Sequence, residues 1–344
     1  MSAVPQEAAS YLDSWVGRGW TAQPLAGDAS VRAYYRITAP DGRTFMLAWY
    51  PEEVRGQLRR FLGATEALRP HVRVPEILEH CDVAVLQYDA GDRTLFAVLQ
   101  EDREEGLRLY RSAIDLLAAF QKAPDRGLNA AFTAEFFLAE LEMAREFFVE
   151  KLMGAEGAPL QPVLEEIAHD VSRHPYTLCH RDFHGQNLHI QNDLIYLIDY
   201  QDLRMGPDTY DLASLLRDRA AGRILGEATE LDLLAHYGEV SGAAHVSGAA
   251  PLRQRYFETL LQRSIKILGT FSKQPITRGR MHYLEFIPAT LESIDRCLRE
   301  LPRYAALRRI FPLAYDPRTA SERARKLNEA SSQLAAGSSQ EKRS

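Results

Sequence analysis

Two runs rich in β-branched and aromatic residues, VRAYYRIT at 31–38 and TFMLAWY at 44–50, flank Asp41-Gly42. Alternating runs around such a pair predict an antiparallel hairpin closed by a tight turn. Val54, Leu58, Phe61, Leu62, Thr65 and Leu68 then recur at steps of three and four and stop before Pro70, which predicts a helix. A further strand, VAVLQY, is expected at 83–88. Hairpin, helix and strand together make a small antiparallel sheet carrying one helix. From Arg103 the period turns helical. Leu107, Tyr110, Ile114, Leu117 and Phe120 mark one amphipathic helix, and Phe137, Leu141, Ala144 and Phe148 mark another. Residues 155–162, with two prolines and with Gly154 and Gly157 close by, read as a loop before a short helix. Between 176 and 200 the apolar pieces YTLCH, LHI and LIYLIDY alternate with polar turns, and helical patterns resume after Pro207 as far as Leu298. The expected class is α+β, with a small sheet and helix in residues 1–98 and a mainly helical part in residues 99–328. The small, polar, Ser-rich residues 329–344 are set apart as a disordered tail.

Composition narrows the function. The 344 residues carry 41 Lys and Arg against 47 Asp and Glu, a formal charge of −6. No global positive field exists to hold a polyanion, so nucleic acid is not an expected partner. Three cysteines, Cys81, Cys179 and Cys297, form no CxxC and read as buried thiols in a reducing compartment. The first residues, MSAVPQEAASYLDSW, lack a basic start and an apolar stretch, and nowhere do eighteen apolar residues run together, which points to a cytoplasmic protein without a membrane partner.

The chemistry concentrates in HRDFHGQN at 180–187, followed by the apolar run ending at Ile198 and then Asp199. Asp182, Asn187 and Asp199 can converge on one point. Phosphoryl transfer needs such a set, with one carboxylate to take or orient the attacking hydroxyl and an Asn and a second carboxylate to hold Mg²⁺. Singly, Asp199 reads more readily as a turn or cap residue and Asn187 as a turn former. A zinc cluster of His180, His184 and His189 has neither a HExxH arrangement nor a Cys pair to help it.

At these residues the chain resembles the aminoglycoside phosphotransferase and choline kinase group, distant relatives of the protein kinases, whose catalytic loop reads HxDxxxxN. The stretch IDYQDLRMGPDTYDLASLLRD from Ile198, with GDASVRAYYRI at 27–37 and GDRTL at 91–95, is similar to one branch in particular, the bacterial anomeric kinases of N-acetylmuramate and N-acetylglucosamine. The resemblance spans roughly residues 10–300 in element order and is sharp only in these segments. It implies a protein-kinase-like, two-lobed fold with a nucleotide-binding N-lobe at 1–98 and a C-lobe at 99–328 that carries the catalytic loop and the substrate site. It also implies ATP and Mg²⁺, Asp182 as catalytic base, Asn187 and Asp199 as metal ligands, and His180 and Asp211 as supports of the loop. The substrate would be a small amino sugar phosphorylated on its C1 hydroxyl in cell-wall recycling, with His184, Asp202 and Arg204 as candidate contacts. The oligomeric state is left open, and a monomer suffices.

On the nucleotide side, Gly27 and Ala29 let a backbone approach phosphates and Ser30 can donate from its N–H and its hydroxyl. Gln87 and Tyr88 end the strand where a base would be held. The departure lies in residues 45–50, which contain no Lys to grip the phosphates, Ala48 or Trp49 standing in its place. Arg32 or Arg36 would have to replace it, and Arg32 is the candidate chosen. Two other readings stay open: a kinase of another small hydroxyl compound such as an aminoglycoside, choline or homoserine, and a pseudokinase-like binding protein.

Overall fold

The computed structural model describes residues 4–25, 31–218 and 221–341, with side chains as far as 331. The N-terminal part holds α1 (Gln6–Val16), strands β1 (Thr21–Leu25), β2 (Ala33–Thr38) and β3 (Thr44–Trp49), helix α2 (Arg55–Leu68), strands β4 (Ile77–His80) and β5 (Ala84–Tyr88), and helices α3 (Leu95–Glu101) and α4 (Arg103–Phe120). Next come α5 (Ala134–Ala144), which runs on as π-helical turns over Arg145–Met153, and α6 (Gln161–Ser172). Short strands β6 (Tyr176–Cys179), β7 (Leu188–Gln191), β8 (Leu194–Leu197) and β9 (Arg204–Pro207) follow. Helices α7 (Tyr210–Arg217), α8 (Ala221–Leu225), α9 (Glu227–Ser241), α10 (Leu252–Arg278), α11 (Ile287–Glu300), α12 (Ala305–Ile310) and α13 (Pro317–Glu341) complete the chain. This is the expected α+β class.

By compactness the chain falls into two units, residues 1–130 with 180–204, and residues 131–179 with 205–344. The first is built on a five-stranded antiparallel sheet of order β1-β2-β3-β5-β4. Alternation sorts its faces. Tyr35, Ile37, Leu47 and Leu86 pack with Ala8 and Leu12 of α1 in one buried cluster, leaving the opposite face for other work. The expected hairpin is present, with β2 and β3 paired from Ala33↔Trp49 to Thr38↔Thr44. Helix α1 and strands β1 and β4 lie outside the sequence expectation. Four of the five β1 residues are exposed, one of them Pro24, and three of the four in β4 are exposed. Edge strands of this kind carry no hydrophobic alternation to read.

In the second unit, α10 is the axis against which α5, α7 and α11 pack. Pro162, taken with the loop 155–162, lies instead in the first turn of α6, a position that tolerates a missing N–H. The 3.6 period expected through Phe148 gives way at Arg145 to π turns that bury Phe147, Phe148, Val149 and Leu152. The backbone of α13 runs through residues 329–341, which the sequence sets apart as tail. Of the cysteines, Cys179 and Cys297 are buried and Cys81 is only half-buried. Where α10 meets α5 a Cβ on Gly269 would lie 2.7 Å from the Ala144 amide nitrogen and 2.9 Å from its Cα. Gly269→Ala should therefore destabilise this unit by about 1–3 kcal/mol, because backbone cannot yield as a side-chain tip does. A thermal melt of the variant with an unchanged midpoint would refute this.

Candidate active site

The sheet face turned away from α1 carries Tyr34 opposite Ala48, Arg36 opposite Met46, and Met46 opposite Gln87. A cavity of about 570 Å³ opens there, wholly within the first unit, and Tyr34, Met46, Ala48, Gln87 and Tyr88 line it together with Asn187 and Asp199. The volume is that of an ordinary small-molecule site. The same register separates Ala48 from Trp49, the two residues that the sequence offers at the expected Lys position. Ala48 faces the cavity, while Trp49 turns to the other side and donates its indole N–H to Glu7 of α1 at 2.7 Å.

The segment 180–187 is held from several sides. Gly185 C=O accepts from the Phe96 amide at 3.0 Å, and a Cβ on Gly185 would lie 3.0 Å from Phe96, so the loop sits hard on α3. Its backbone is tight as well: Arg181 has φ of 81°, a conformation that side-chain-bearing residues rarely adopt. Asp182 is exposed. Its carbonyl accepts from the Asn187 side-chain amide at 2.9 Å and from the His184 N–H at 3.0 Å. With its N–H spent on this bond, the Asn187 side chain has its carbonyl oxygen to offer a hard cation.

His180 is 1% exposed. Its Nε2 lies 2.9 Å from Ile198 C=O, and its Nδ1 accepts from the Asp182 N–H at 3.3 Å. A carbonyl needs a donor and an amide N–H needs an acceptor, so these two contacts are met by a ring that donates from Nε2 and accepts at Nδ1. Ile198 in turn donates its N–H to Asn187 C=O at 3.1 Å. Through Ile198 the histidine joins the loop bearing Asp182 and Asn187 to the end of the hairpin β7–β8, where Asp199 stands. Asp193 and Asn192, both with positive φ, close that hairpin.

Asp199 has φ of 59° and its side chain is 41% exposed. Oδ1 accepts from Gln201 Nε2 at 3.1 Å and from Arg32 Nη2 at 3.3 Å. The Arg32 side chain is 8% exposed, its guanidinium 5.6 Å from the Tyr34 ring centre and 6.0 Å from that of Tyr50. Burial works against the charge, but Tyr34, Asp199 and Tyr50 hold its pKa above the ordinary value. Burial also pushes the Tyr34 and Tyr50 phenols up, which keeps both rings neutral beside it. Arg36 is differently placed. It binds Asp89 at 2.6 Å and Asp92 at 2.7 Å, and these hydrogen bonds raise its pKa; the guanidinium serves as a staple between β2 and the segment after β5.

Of the residues expected from sequence, Asp182, Asn187, Asp199, His180, His184, Asp202, Arg204, Arg32, Gln87 and Tyr88 all fall in the first unit. Asn187, Asp199, Asp202, Arg32, Gln87 and Tyr88 line the cavity. Tyr88 gives its N–H to Glu76 C=O at 2.8 Å and sets its ring against Tyr196, whereas Gln87 Oε1 is buried without a hydrogen-bond partner among the described residues. Asp211 belongs to the second unit and is fully buried in the first turn of α7. Ser30, with the rest of 26–30, lies outside the described residues. The sequence reading missed Tyr34, Tyr50 and Tyr200, which line the cavity. The alternation of VRAYYRIT is the signal that sets Arg32 and Tyr34 on one face. Tyr200, stacked on Phe61 and hydrogen-bonded to Thr65 at 2.9 Å, has no such signal.

Residues 21–252 match the family described as phosphotransferase enzyme family. An N-acetylmuramate/N-acetylglucosamine kinase of Neisseria meningitidis serogroup B is 32% identical over 301 residues, covering 84% of this chain and 88% of that one. Among solved structures, Plasmodium vivax ethanolamine kinase aligns with a TM-score of 0.57 at 14% identity, over 87% of this chain and 86% of that one. An aminoglycoside-3'-phosphotransferase of type VIII aligns with a TM-score of 0.54 at 18% identity, over 77% of this chain and 100% of that one. These two likenesses concern the fold, and they give the protein-kinase-like class.

Proposed function

We propose that this chain, which belongs to the phosphotransferase enzyme family, transfers the γ-phosphoryl group of ATP to the anomeric C1 hydroxyl of N-acetylmuramate or N-acetylglucosamine. The observation that carries the chemistry is the tied loop, in which Asn187 hydrogen-bonds Asp182 at 2.9 Å while lining the same cavity as Asp199. The sugar rests on the Neisseria relative, a protein named as a kinase of these two compounds. Cell-wall recycling in the cytoplasm is the setting that such substrates imply.

Each residue then has a role in this reading. Residues 1–98 form the nucleotide-holding lobe and 99–328 bear the catalytic loop and the acceptor site. The cavity fits a nucleotide in volume, in the buried Gln87 acceptor that awaits a donor, and in the Arg32 guanidinium that matches phosphate oxygens. Ser30 adds a donor to the phosphates. Asn187 and Asp199, which line the cavity together, would hold Mg²⁺ through their oxygens. That ion supplies neutralisation of the charge that builds on the phosphates. Asp182 accepts the proton of the attacking hydroxyl. A hemiacetal hydroxyl is more acidic than an ordinary alcohol, so orientation by Asp182 counts for more than its basicity. His180 positions the loop, and His184, Asp202 and Arg204 meet the sugar.

The test is chemical. With MgATP and either sugar, ADP formation should be accompanied by loss of the reducing-end response, because C1 becomes esterified. ADP formed with the reducing response retained would move the attack to another hydroxyl. No acceptor-dependent ADP across a panel of hydroxyl compounds would leave a nucleotide-binding protein instead.

A further inference from the structure

The Asp199 carboxylate meets two donors, and both fall on the same oxygen. Gln201 Nε2 donates to Oδ1 at 3.1 Å and Arg32 Nη2 at 3.3 Å, while among the described residues Oδ2 receives no hydrogen bond. The Asp199 side chain is half-exposed, so packing does little to fix its direction and the bonds at Oδ1 must set it. The two donors differ in kind. Arg32 brings a charge that offsets the carboxylate's, whereas the neutral Gln201 amide fixes the group and leaves its charge whole for a cation. Gln201 is also the better anchored of the pair, being 5% exposed on a turn that is tied from outside. Asn129 Nδ2 donates to Leu203 C=O at 2.8 Å and to Gln201 C=O at 3.5 Å, and Asn129 Oδ1 accepts from Arg60 of α2 at 3.3 Å.

We propose that Gln201 is a positioning residue, whose amide N–H holds Asp199 by Oδ1 and leaves Oδ2 to a divalent cation. This rests on the phosphotransferase reading of the cavity, in which Asp199 is a ligand of Mg²⁺. A carboxylate free to turn about its side-chain torsions loses that freedom when it takes a metal ion. A partner that has already removed the freedom raises the affinity, and deleting such a partner costs roughly 10–100-fold in metal binding. The neutral donor has a second consequence. Arg32 would be able to leave Oδ1 for phosphate oxygens without releasing the carboxylate, because Gln201, held in its tied turn, keeps its bond.

Calorimetric titration with ADP, once in EDTA and once at saturating Mg²⁺, tests this, since the ratio of the two affinities reads the metal site apart from turnover. Gln201→Met, similar in length but without the amide, and Gln201→Asn, one methylene too short to reach Oδ1, should each lower that ratio about tenfold. The affinity in EDTA should stay at the wild-type value in both. In an Asp199→Asn background Gln201→Met should lower the ratio no further, because a residue that acts through Asp199 has nothing left to position. An unchanged ratio in the single variants, a full further loss in the double variant, or a loss in EDTA equal to that with Mg²⁺ overturns the proposal while the phosphotransferase reading stands. A wild-type ratio near one would remove Asp199 from any metal site, and the reading of the cavity would fail together with the proposal.

Discussion

Asp182→Asn should lower kcat by about two to four orders of magnitude, the range for loss of a general base, and toward the smaller end because the attacking hydroxyl is a hemiacetal. The affinity for MgATP should not change. What makes this substitution informative is the division of labour within the residue. The loop is held by the Asp182 backbone, its N–H on His180 and its C=O on Asn187 and His184. Asn preserves the backbone and the side-chain shape, so the geometry of Asn187 and of the Ile198 clasp persists while the carboxylate's ability to take a proton is lost. Acceptor-dependent ADP release and nucleotide titration on the same preparation separate the two. Turnover at the wild-type rate would remove Asp182 from the proton's path and would leave Mg²⁺ and positioning to carry the reaction.

The residues of that loop were readable from sequence because the spacing of Asp182, Asn187 and Asp199 is a property of one short stretch of chain. The hairpin at 31–50 and the helix before Pro70 were readable for the same reason, local alternation and period. What the sequence withheld is long-range. The sequence offers Ala48 and Trp49 alike, and only the strand register puts one on the cavity and the other on α1. Arg32 and Arg36, two guanidiniums on one face, were separated only by Asp89 and Asp92, which lie more than fifty residues on and claim Arg36 for a staple. Helix α1 begins at Gln6, and it buries Ala8 and Leu12 against the sheet it covers. The π turns after Ala144 answer to the neighbouring α10 and not to local period.

Arg32→Ala is expected to lower kcat/KM for ATP by about two to three orders of magnitude, comparable to loss of one preorganised charge-stabilising donor. Arg32→Lys should recover part of it, since Lys keeps the charge and lacks the planar fork. The case rests on charge in the cavity. With Ala48 facing the cavity and Arg36 bound to two carboxylates, Arg32 is the cation that faces Asp199 inside the cavity. Its 3.3 Å contact with Asp199 is long for a charge-assisted bond, so the guanidinium would be able to exchange that carboxylate for phosphate oxygens if Asp199 held a metal ion. A chain carrying −6 overall gives a triphosphate no attraction at a distance, which places the demand on this one local charge. If Arg32 merely pinned Asp199, Arg32→Ala would raise the Mg²⁺ concentration needed for half-maximal rate and leave nucleotide affinity at saturating Mg²⁺ unchanged. Titrating ATP at saturating Mg²⁺, and Mg²⁺ at saturating ATP, tells the two apart: a weakened ATP titration in Arg32→Ala, partly restored in Arg32→Lys, is the signature of a phosphate grip.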